Sequence, residues 1–388
     1  MRCKTEKTFF KVNLGENNLE SKSVAIIAGQ LVIGGAEHQL YLWLSNLDRK
    51  RFSPVVITLH PGYNDYWEKE IETLEIPIIY IEHRRFPIMR LLDIISALRP
   101  YKPKLIHGWH TFASPYAGLV AKFLGAKSLG GLRDSYRIFW QNSALAYLTL
   151  WLTDFLLVNS NSASDNLHDL SGISREKMYV VQNAVEQKIE NTRLKVREEL
   201  NRSFGLSLEK IWIGSLGRLV PKKRYDLLLE IIALLYKEFN EFHFLIIGDG
   251  PERSRLERLA VALGISDILT FVGEIPEASY LLKALDIFCF ASLDEGLPNV
   301  IMEAAIAGVP VVTWRLPYIV ELLEPDSEAL LIEPRSLCEF KDTLTTLVQF
   351  EEVRKKIGNA GRDRMLKDFS VDRYVKNMTK VYEDLLDY

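Results

Sequence analysis

The chain alternates short runs of Val, Ile, Leu and Phe with longer amphipathic stretches, and it does so in two separate series. The first series holds VAIIAG (24–29), PVVITLH (54–60), IPIIYIE (76–82), KLIHGWH (104–110), KSLGGLR (127–133), DFLLVNS (154–160) and MYVVQN (178–183). The second holds IWIGSLG (211–217), FHFLIIG (242–248), ILTFVG (268–273), IFCFAS (287–292), PVVTW (310–314) and LLIEP (330–334). Short runs of this kind suit strands buried on both faces of a parallel sheet. The stretches between them are helical in period: after Ala36, apolar residues recur at Leu40, Trp43, Leu44 and Leu47, on one helix face. Two such series predict an α/β protein with two doubly wound, Rossmann-like parallel-sheet domains facing an interdomain cleft. The polar segment Glu186 to Ser203 reads as the linker. We expect a polar leader over 1–22, a first domain over 23–190, a second over 191–369, and an amphipathic C-terminal helix over 370–388 packing back on the first domain.

Charge and cysteine content narrow the function. A formal net charge of -3 argues against a nucleic-acid partner, which needs a basic footprint. Cys3, Cys289 and Cys338 have no metal-ligand spacing and imply no disulfide framework, which fits a cytoplasmic location. No apolar run is long enough to span a bilayer or to act as a signal peptide.

The chemically distinctive residues fall at strand carboxyl ends, where open α/β sheets bind ligands. Gly34-Gly35-Ala36-Glu37 follows the first strand, His110 ends the fourth, and Asn183 ends the last of the first series. Gly217-Arg218, Gly248-Asp249-Gly250 and Glu295-Gly296-Leu297-Pro298-Asn299 follow strands of the second series. Arg218, Lys222, Lys223 and Arg224 crowd one loop, which suits a diphosphate that must also leave with its charge stabilised. A solvated basic loop is the competing reading of those four. Glycines before helix starts let backbone N–H groups reach phosphate oxygens, and this points to Gly34, Gly35 and the Gly296–Asn299 turn. Glu295 and Glu303 straddle the start of a helix near Pro298, and both can face one cleft and accept hydroxyl hydrogen bonds. For Glu303 the competing reading is an exposed helical glutamate. His107 and His110 point to opposite faces of their strand, which argues against a shared metal. Cys289 reads as a packing residue in a buried strand.

Several strings taken together resemble glycosyltransferase family four, the glycosyl transferases group 1. They are EGLPNVIMEAAIAGVPVV (295–312), GRLVPKKRYDLLLE (217–230), FLIIGDGP (244–251), FVGEI (271–275), GGAE (34–37) and VQNAVE (181–186). The resemblance implies the GT-B architecture and retaining, metal-independent transfer from a nucleotide diphosphate sugar, such as a UDP- or GDP-sugar, with no cofactor. It implies that Arg218 and Lys223 hold the donor diphosphate. Glu295 then lies near the donor sugar, with Gly296, Leu297, Pro298 and Asn299 around it. Glu303 would bind the ribose, the Gly34-Gly35 loop would approach phosphate and acceptor, and His110 would sit near the transferred sugar. Asn183, Gly217, Gly248 and Gly250 complete the expected donor site. The chain departs from the family pattern at Ala184, at Arg224, and at Arg315-Leu316-Pro317 before Glu321. Two alternatives share these features: a GT-B sugar-nucleotide epimerase, and a catalytically inactive, donor-binding partner of another enzyme. The family also implies a saccharide or lipid-linked acceptor in cell-surface or exported polysaccharide synthesis.

The segment Arg84 to Lys104 interleaves six cations with Ile88, Leu91, Leu92, Ile94, Ile95 and Leu98. It reads either as a helix lying peripherally on an anionic membrane or as a core helix with a solvated rim.

Overall fold

The computed structural model describes residues 21–62, 65–81, 86–133, 143–187 and 192–387. The expected leader falls almost wholly outside them, as do Arg84 and Arg85. The first sheet comprises β1 (Lys22–Ala28), β2 (Phe52–Thr58), β3 (Ile78–Tyr80), β4 (Leu105–Gly108), β5 (Lys127–Leu132), β6 (Phe155–Val158) and β7 (Met178–Val180). The second comprises β8 (Ile211–Leu216), β9 (Phe242–Ile247), β10 (Leu269–Gly273), β11 (Ile287–Phe290), β12 (Val311–Trp314) and β13 (Leu330–Ile332). Each of these thirteen strands falls on one of the apolar runs read from the sequence. All pairings are parallel, in the orders β3-β2-β1-β4-β5-β6-β7 and β10-β9-β8-β11-β12-β13.

Both orders reverse direction once, between β1 and β4 and between β8 and β11. Successive crossovers diverge there, which leaves a crevice outside the strand carboxyl ends. In β1, Ala25, Ile26, Ile27 and Ala28 are fully buried because helices cover both faces. The centre of that strand therefore carries no polar side chain, and its chemistry is confined to the loop beyond it.

The C-terminal helix Val371–Asp387 packs into the core of the first sheet through Tyr374, Met378, Val381, Tyr382 and Leu385. The Tyr382 ring meets Trp43 and Phe52 edge-on, at centroid distances of 5.1 and 5.8 Å. Its hydroxyl shares a 2.9 Å hydrogen bond with His107 Nδ1.

The linker expected over Glu186 to Ser203 ends earlier than its polarity suggests. Arg193–Phe204 is a helix, started by a Thr192 side-chain cap. Val196, Arg197 and Leu200 are buried. Arg197 stacks 4.0 Å from the Trp212 ring centroid and pairs with Asp286 at 2.9 Å. A charged stretch is thus an anchor of the second domain, because its cation is neutralised by a carboxylate far along the chain.

Candidate functional site

The two sheets meet across a cleft of about 250 Å³. One wall carries Gly35, Ala36, His110, Thr111, Arg133, Asn159 and Asn183, and the other carries Lys223 and the segment from Glu295 to Val300. Each wall includes the point where strand order reverses. The Gly34–Glu37 loop follows β1 and His110 follows β4, while Lys223 lies beyond β8 and Glu295 beyond β11.

On the second wall, Lys223 Nζ lies 2.8 Å from Glu295 Oε1, and the two side chains are only 16% and 11% exposed. The Ser292 hydroxyl donates to the same carboxylate oxygen at 2.7 Å. The Lys223 ammonium also sits 5.1 Å from the Phe290 ring centroid, a cation–π distance. Pro298 begins the helix Asn299–Ile306, so the Glu295–Asn299 turn presents that helix's N-terminus to the cleft. Unpaired backbone N–H groups and the positive end of the helix dipole favour an anion there.

Arg218 is exposed and has no ion-pair partner among the described residues. It does not line the cleft with Lys223. Its loop packs against Gly248 and Gly250. Both have positive φ, and added Cβ atoms would come within 2.2 Å of the Gly217 carbonyl oxygen and 2.5 Å of that of Leu219. These two glycines let the loop from Gly217 to Leu219 pack closely on the next strand end. Lys222 reaches Glu295 at 4.0 Å, whereas Arg224 turns away to pair with Asp226.

On the first wall, His110 Nδ1 accepts from the Gly29 backbone N–H at 3.3 Å, and Nε2 lies 2.9 Å from Glu37 Oε1. The first bond leaves Nε2 as the protonated nitrogen, donating to the carboxylate. The ring also stacks on Phe112. Both nitrogens are engaged within the first domain, so the imidazole forms a braced wall. Below it, burial and then the nearby Arg133 and His110 hold the His107 imidazolium well below the ordinary histidine range.

The glycine loop differs from the expectation. A Cβ on Gly34 would come 2.3 Å from Glu37 Oε2, so this glycine makes room for the carboxylate that braces His110. A Cβ on Gly35 would come 2.6 Å from Asn299 Nδ2, which donates to the Gly35 carbonyl at 3.0 Å. Asn299 also accepts from Asn183 Nδ2 at 2.7 Å. Gly34 therefore serves its own domain, Gly35 the contact between domains. The two glutamates also part company. Glu295 lines the cleft, while Glu303 lines a second hollow of about 110 Å³ with His38, Tyr280, Lys283 and Arg362. The expectation that both glutamates face one cleft is corrected to two neighbouring pockets.

Three residues were not singled out by the sequence reading. Arg133 lines the cleft beside Asn183, and its place one residue past β5 is a strand end like the others. The Asn159 side chain lies 3.2 Å from where a Cβ on Gly296 would be. Tyr318, next to the segment that departs from the family pattern, has a buried hydroxyl against the Glu295 backbone. Burial, with Glu295 and Asp294 beside it, raises the pKa of that phenol. Among the described residues no three His, Cys, Asp or Glu side chains gather as metal ligands.

Known proteins give the same outline. Residues 196–364 match the model described as glycosyl transferases group 1, and residues 33–188 match glycosyltransferase family 4. The lipopolysaccharide core biosynthesis glycosyltransferase LpsE of Rhizobium meliloti is 25% identical over 87% of this chain and 92% of its own. Sulfoquinovosyl transferase SQD2 of Arabidopsis thaliana is 25% identical over 80% of this chain and 62% of its own. An uncharacterized glycosyltransferase of Haemophilus influenzae is 29% identical over 44% of this chain, and there the match spans about half its length, 48%. Among solved structures, Anabaena Alr3699/HepE in complex with UDP-glucose superposes with a TM-score of 0.82 at 18% identity, over 94% of this chain and all of that one. Sucrose-phosphate synthase from Thermosynechococcus elongatus gives 0.76 at 17% identity, over 94% and 99%. At such identities the likeness establishes the fold.

Proposed function

The chain belongs to the glycosyl transferases group 1 of glycosyltransferase family 4, and we propose that it transfers a sugar, with retention and without a metal, from a nucleotide diphosphate sugar to a saccharide acceptor. The observation that carries this reading is the second wall of the cleft, where a largely buried lysine, a carboxylate and a helix N-terminus converge. Lys223 and the backbone from Gly296 to Asn299 suit the distal phosphate, and Arg218 adds a second cation to it. Glu295 suits a hydroxyl of the donor sugar. Glu303, in the adjoining hollow, suits the ribose hydroxyls. His110, with both nitrogens engaged, serves as a wall for the sugar and not as a proton carrier.

In the step we propose, the bond from the anomeric carbon to the distal phosphate oxygen breaks, and the acceptor oxygen bonds to that carbon from the same face. The acceptor hydroxyl's proton passes to the leaving phosphate. The products are a nucleoside diphosphate and the glycoside. The Lys223, Arg218 and helix N-terminal charges stabilise the leaving group, so no cation need be supplied. Titrating the protein with UDP- and GDP-sugars in a thermal-shift assay tests donor binding. Nucleoside diphosphate release that requires an acceptor tests transfer. Release without acceptor, alongside an altered sugar, indicates the epimerase, and donor binding with no turnover indicates the inactive partner protein. Activity that is lost with EDTA and restored by magnesium or manganese refutes metal independence.

For the acceptor we propose a saccharide on a lipid carrier, met at the cytoplasmic face of a membrane. No helix among the described residues is long and apolar enough to cross a bilayer. The helix Pro87–Leu98 supports a peripheral contact. It buries Ile94, Ile95 and Leu98, yet its outer side leaves Ile88 75% and Leu92 59% exposed. Arg99, Lys102 and Lys104 are exposed just beyond it. Arg90 is not available for lipid, because it is buried and donates to the Tyr116 hydroxyl at 3.4 Å. Sedimentation with anionic vesicles, weakened by Ile88→Glu and Leu92→Glu, is the expected result, and no binding at low salt refutes the contact.

A further inference from the structure

Among the described residues, Arg133 meets no group that balances its charge. Its guanidinium lies 3.9 Å from the Trp109 ring centroid. Nη1 donates to Asn183 Oδ1 at 3.3 Å, and Nε is buried without a hydrogen-bond partner. The Tyr374 phenol, whose ionisation burial disfavours, is a further, neutral hydrogen-bond partner of the guanidinium. No carboxylate among the described residues pairs with it. Two other arginines contrast with it: Arg197, also stacked on a tryptophan, has Asp286 at 2.9 Å, and Arg224 has Asp226 at 3.0 Å. A guanidinium offers five donors in a rigid fork, and within the described residues only neutral groups meet them here. Removing such a group from water costs free energy that an aromatic face and neutral neighbours offset only in part.

Its position says what would offset the rest. Arg133 lines the cleft opposite Lys223. Its own carbonyl oxygen lies against Gly296, where an added Cβ would approach to 2.3 Å. Asn183, which it touches, donates to the Leu297 carbonyl at 3.4 Å and to Asn299 at 2.7 Å. The guanidinium thus stands one amide away from the turn that opens the helix Asn299–Ile306. The first wall brings one cation to the place where the second brings a lysine and a helix N-terminus.

We propose that Arg133 is a phosphate-binding residue, contributed by the first domain to an oxyanion held between the two walls. The proposal rests on the donor reading above. The oxyanion has two sources of the same chemistry: the distal phosphate of the donor, or a phosphate on the acceptor's carrier. Guanidinium suits either, through a two-pronged contact that lysine cannot make. In the first case Arg133 reads the leaving group from the opposite domain, so diphosphate binding draws the walls together.

Calorimetry with UDP and UMP on wild type, Arg133→Met and Arg133→Lys tests the proposal, with GDP and GMP substituted if uridine nucleotides do not bind. Loss of a charge-assisted contact to the distal phosphate should weaken diphosphate binding about tenfold or more while leaving monophosphate binding within about twofold. Arg133→Lys should recover part of the loss, and melting temperatures confirm that each variant is folded. A second arm titrates inorganic phosphate into protein saturated with the diphosphate. Phosphate binding that is present in wild type and lost in Arg133→Met, with diphosphate affinity intact, assigns the residue to the acceptor's phosphate. Folded variants with an unchanged diphosphate-to-monophosphate ratio and unchanged phosphate binding overturn the proposal. Wild type that binds no nucleoside diphosphate overturns the donor reading instead.

Discussion

Gly34 and Glu37 should be energetically inseparable. Gly34 has φ -169° and ψ 155°, extended backbone that any residue adopts, so alanine there meets no backbone strain. Its whole penalty is steric, from a Cβ placed 2.3 Å from Glu37 Oε2. The carboxylate can swing aside, but it then leaves His110 Nε2, now 2.9 Å away. Glu37 is only 8% exposed, so a donor left unpaired there costs about 1–3 kcal/mol. Glu37→Ala should destabilise by about that amount. Gly34→Ala should cost nearly as much, reduced by the roughly 0.4–1 kcal/mol that a less flexible unfolded chain returns. In the Glu37→Ala background the obstructing atom is gone, and Gly34→Ala should instead stabilise by about 0.4–1 kcal/mol. The sign therefore reverses, with a coupling of about 1–3 kcal/mol in a double-mutant cycle. Urea unfolding of the four proteins measures it. Additivity within about 0.5 kcal/mol would mean that Gly34 is not there to seat Glu37, and the account of the first wall would fall.

Three further outcomes follow from the same geometry. Lys223→Ala or Arg218→Ala should remove about 3 kcal/mol or more of transition-state stabilisation, and wild-type turnover in both would refute the diphosphate site. Glu303→Ala should raise the donor KM more than it lowers kcat, and unchanged donor affinity by calorimetry would remove Glu303 from ribose binding. His107 has a depressed folded pKa, so its contribution is complete above the unfolded value near 6.5 and is lost as pH falls below it, which makes the protein less stable at pH 5.5 than at pH 7.5. His107→Gln should flatten that slope in urea unfolding, and an unaltered slope would show that another group titrates.

The strands were legible because burial on both faces removes polar residues from them, and a run such as Val24 to Ala28 admits few other fates. The position of the cleft was legible for a related reason: polar and glycine residues return where the strands end. What each residue contacts was not legible, because those contacts join distant parts of the chain. Gly34 and Gly35 look alike in sequence, yet one answers to Glu37 and the other to Asn299, 264 residues away. Arg197 reads as linker until Asp286 and Trp212 are placed against it. Arg133 stood at a strand end and satisfied the positional rule, but nothing local marks a cation that meets no carboxylate among the described residues. Glu303 lies eight positions after Glu295, and the helix starting between them turns it into a different hollow.

Charge in the cleft is arranged as an exchange. Lys223 and the Ser292 hydroxyl both engage Glu295 Oε1. A phosphate oxygen arriving at Lys223 competes with that carboxylate, and one charge-assisted bond replaces another at little net cost. The carboxylate oxygen released from the lysine is then an acceptor beside the phosphate, where a hydroxyl of the attached sugar would lie. On the proposed donor reading, recognition of the diphosphate and of the sugar would thereby be coupled through one glutamate. The contacts between domains have the same character. Asn299 bridges Asn183 and Gly35, and Glu321 accepts from the Asn161 backbone N–H at 2.8 Å, at the start of the helix Asn161–Ser171. Such polar contacts each contribute only about 0.5–1.5 kcal/mol net, or somewhat more where a carboxylate takes part. A rim closed by hydrogen bonds of that size can open to admit a nucleotide and close again around it, which an interdomain apolar core would resist.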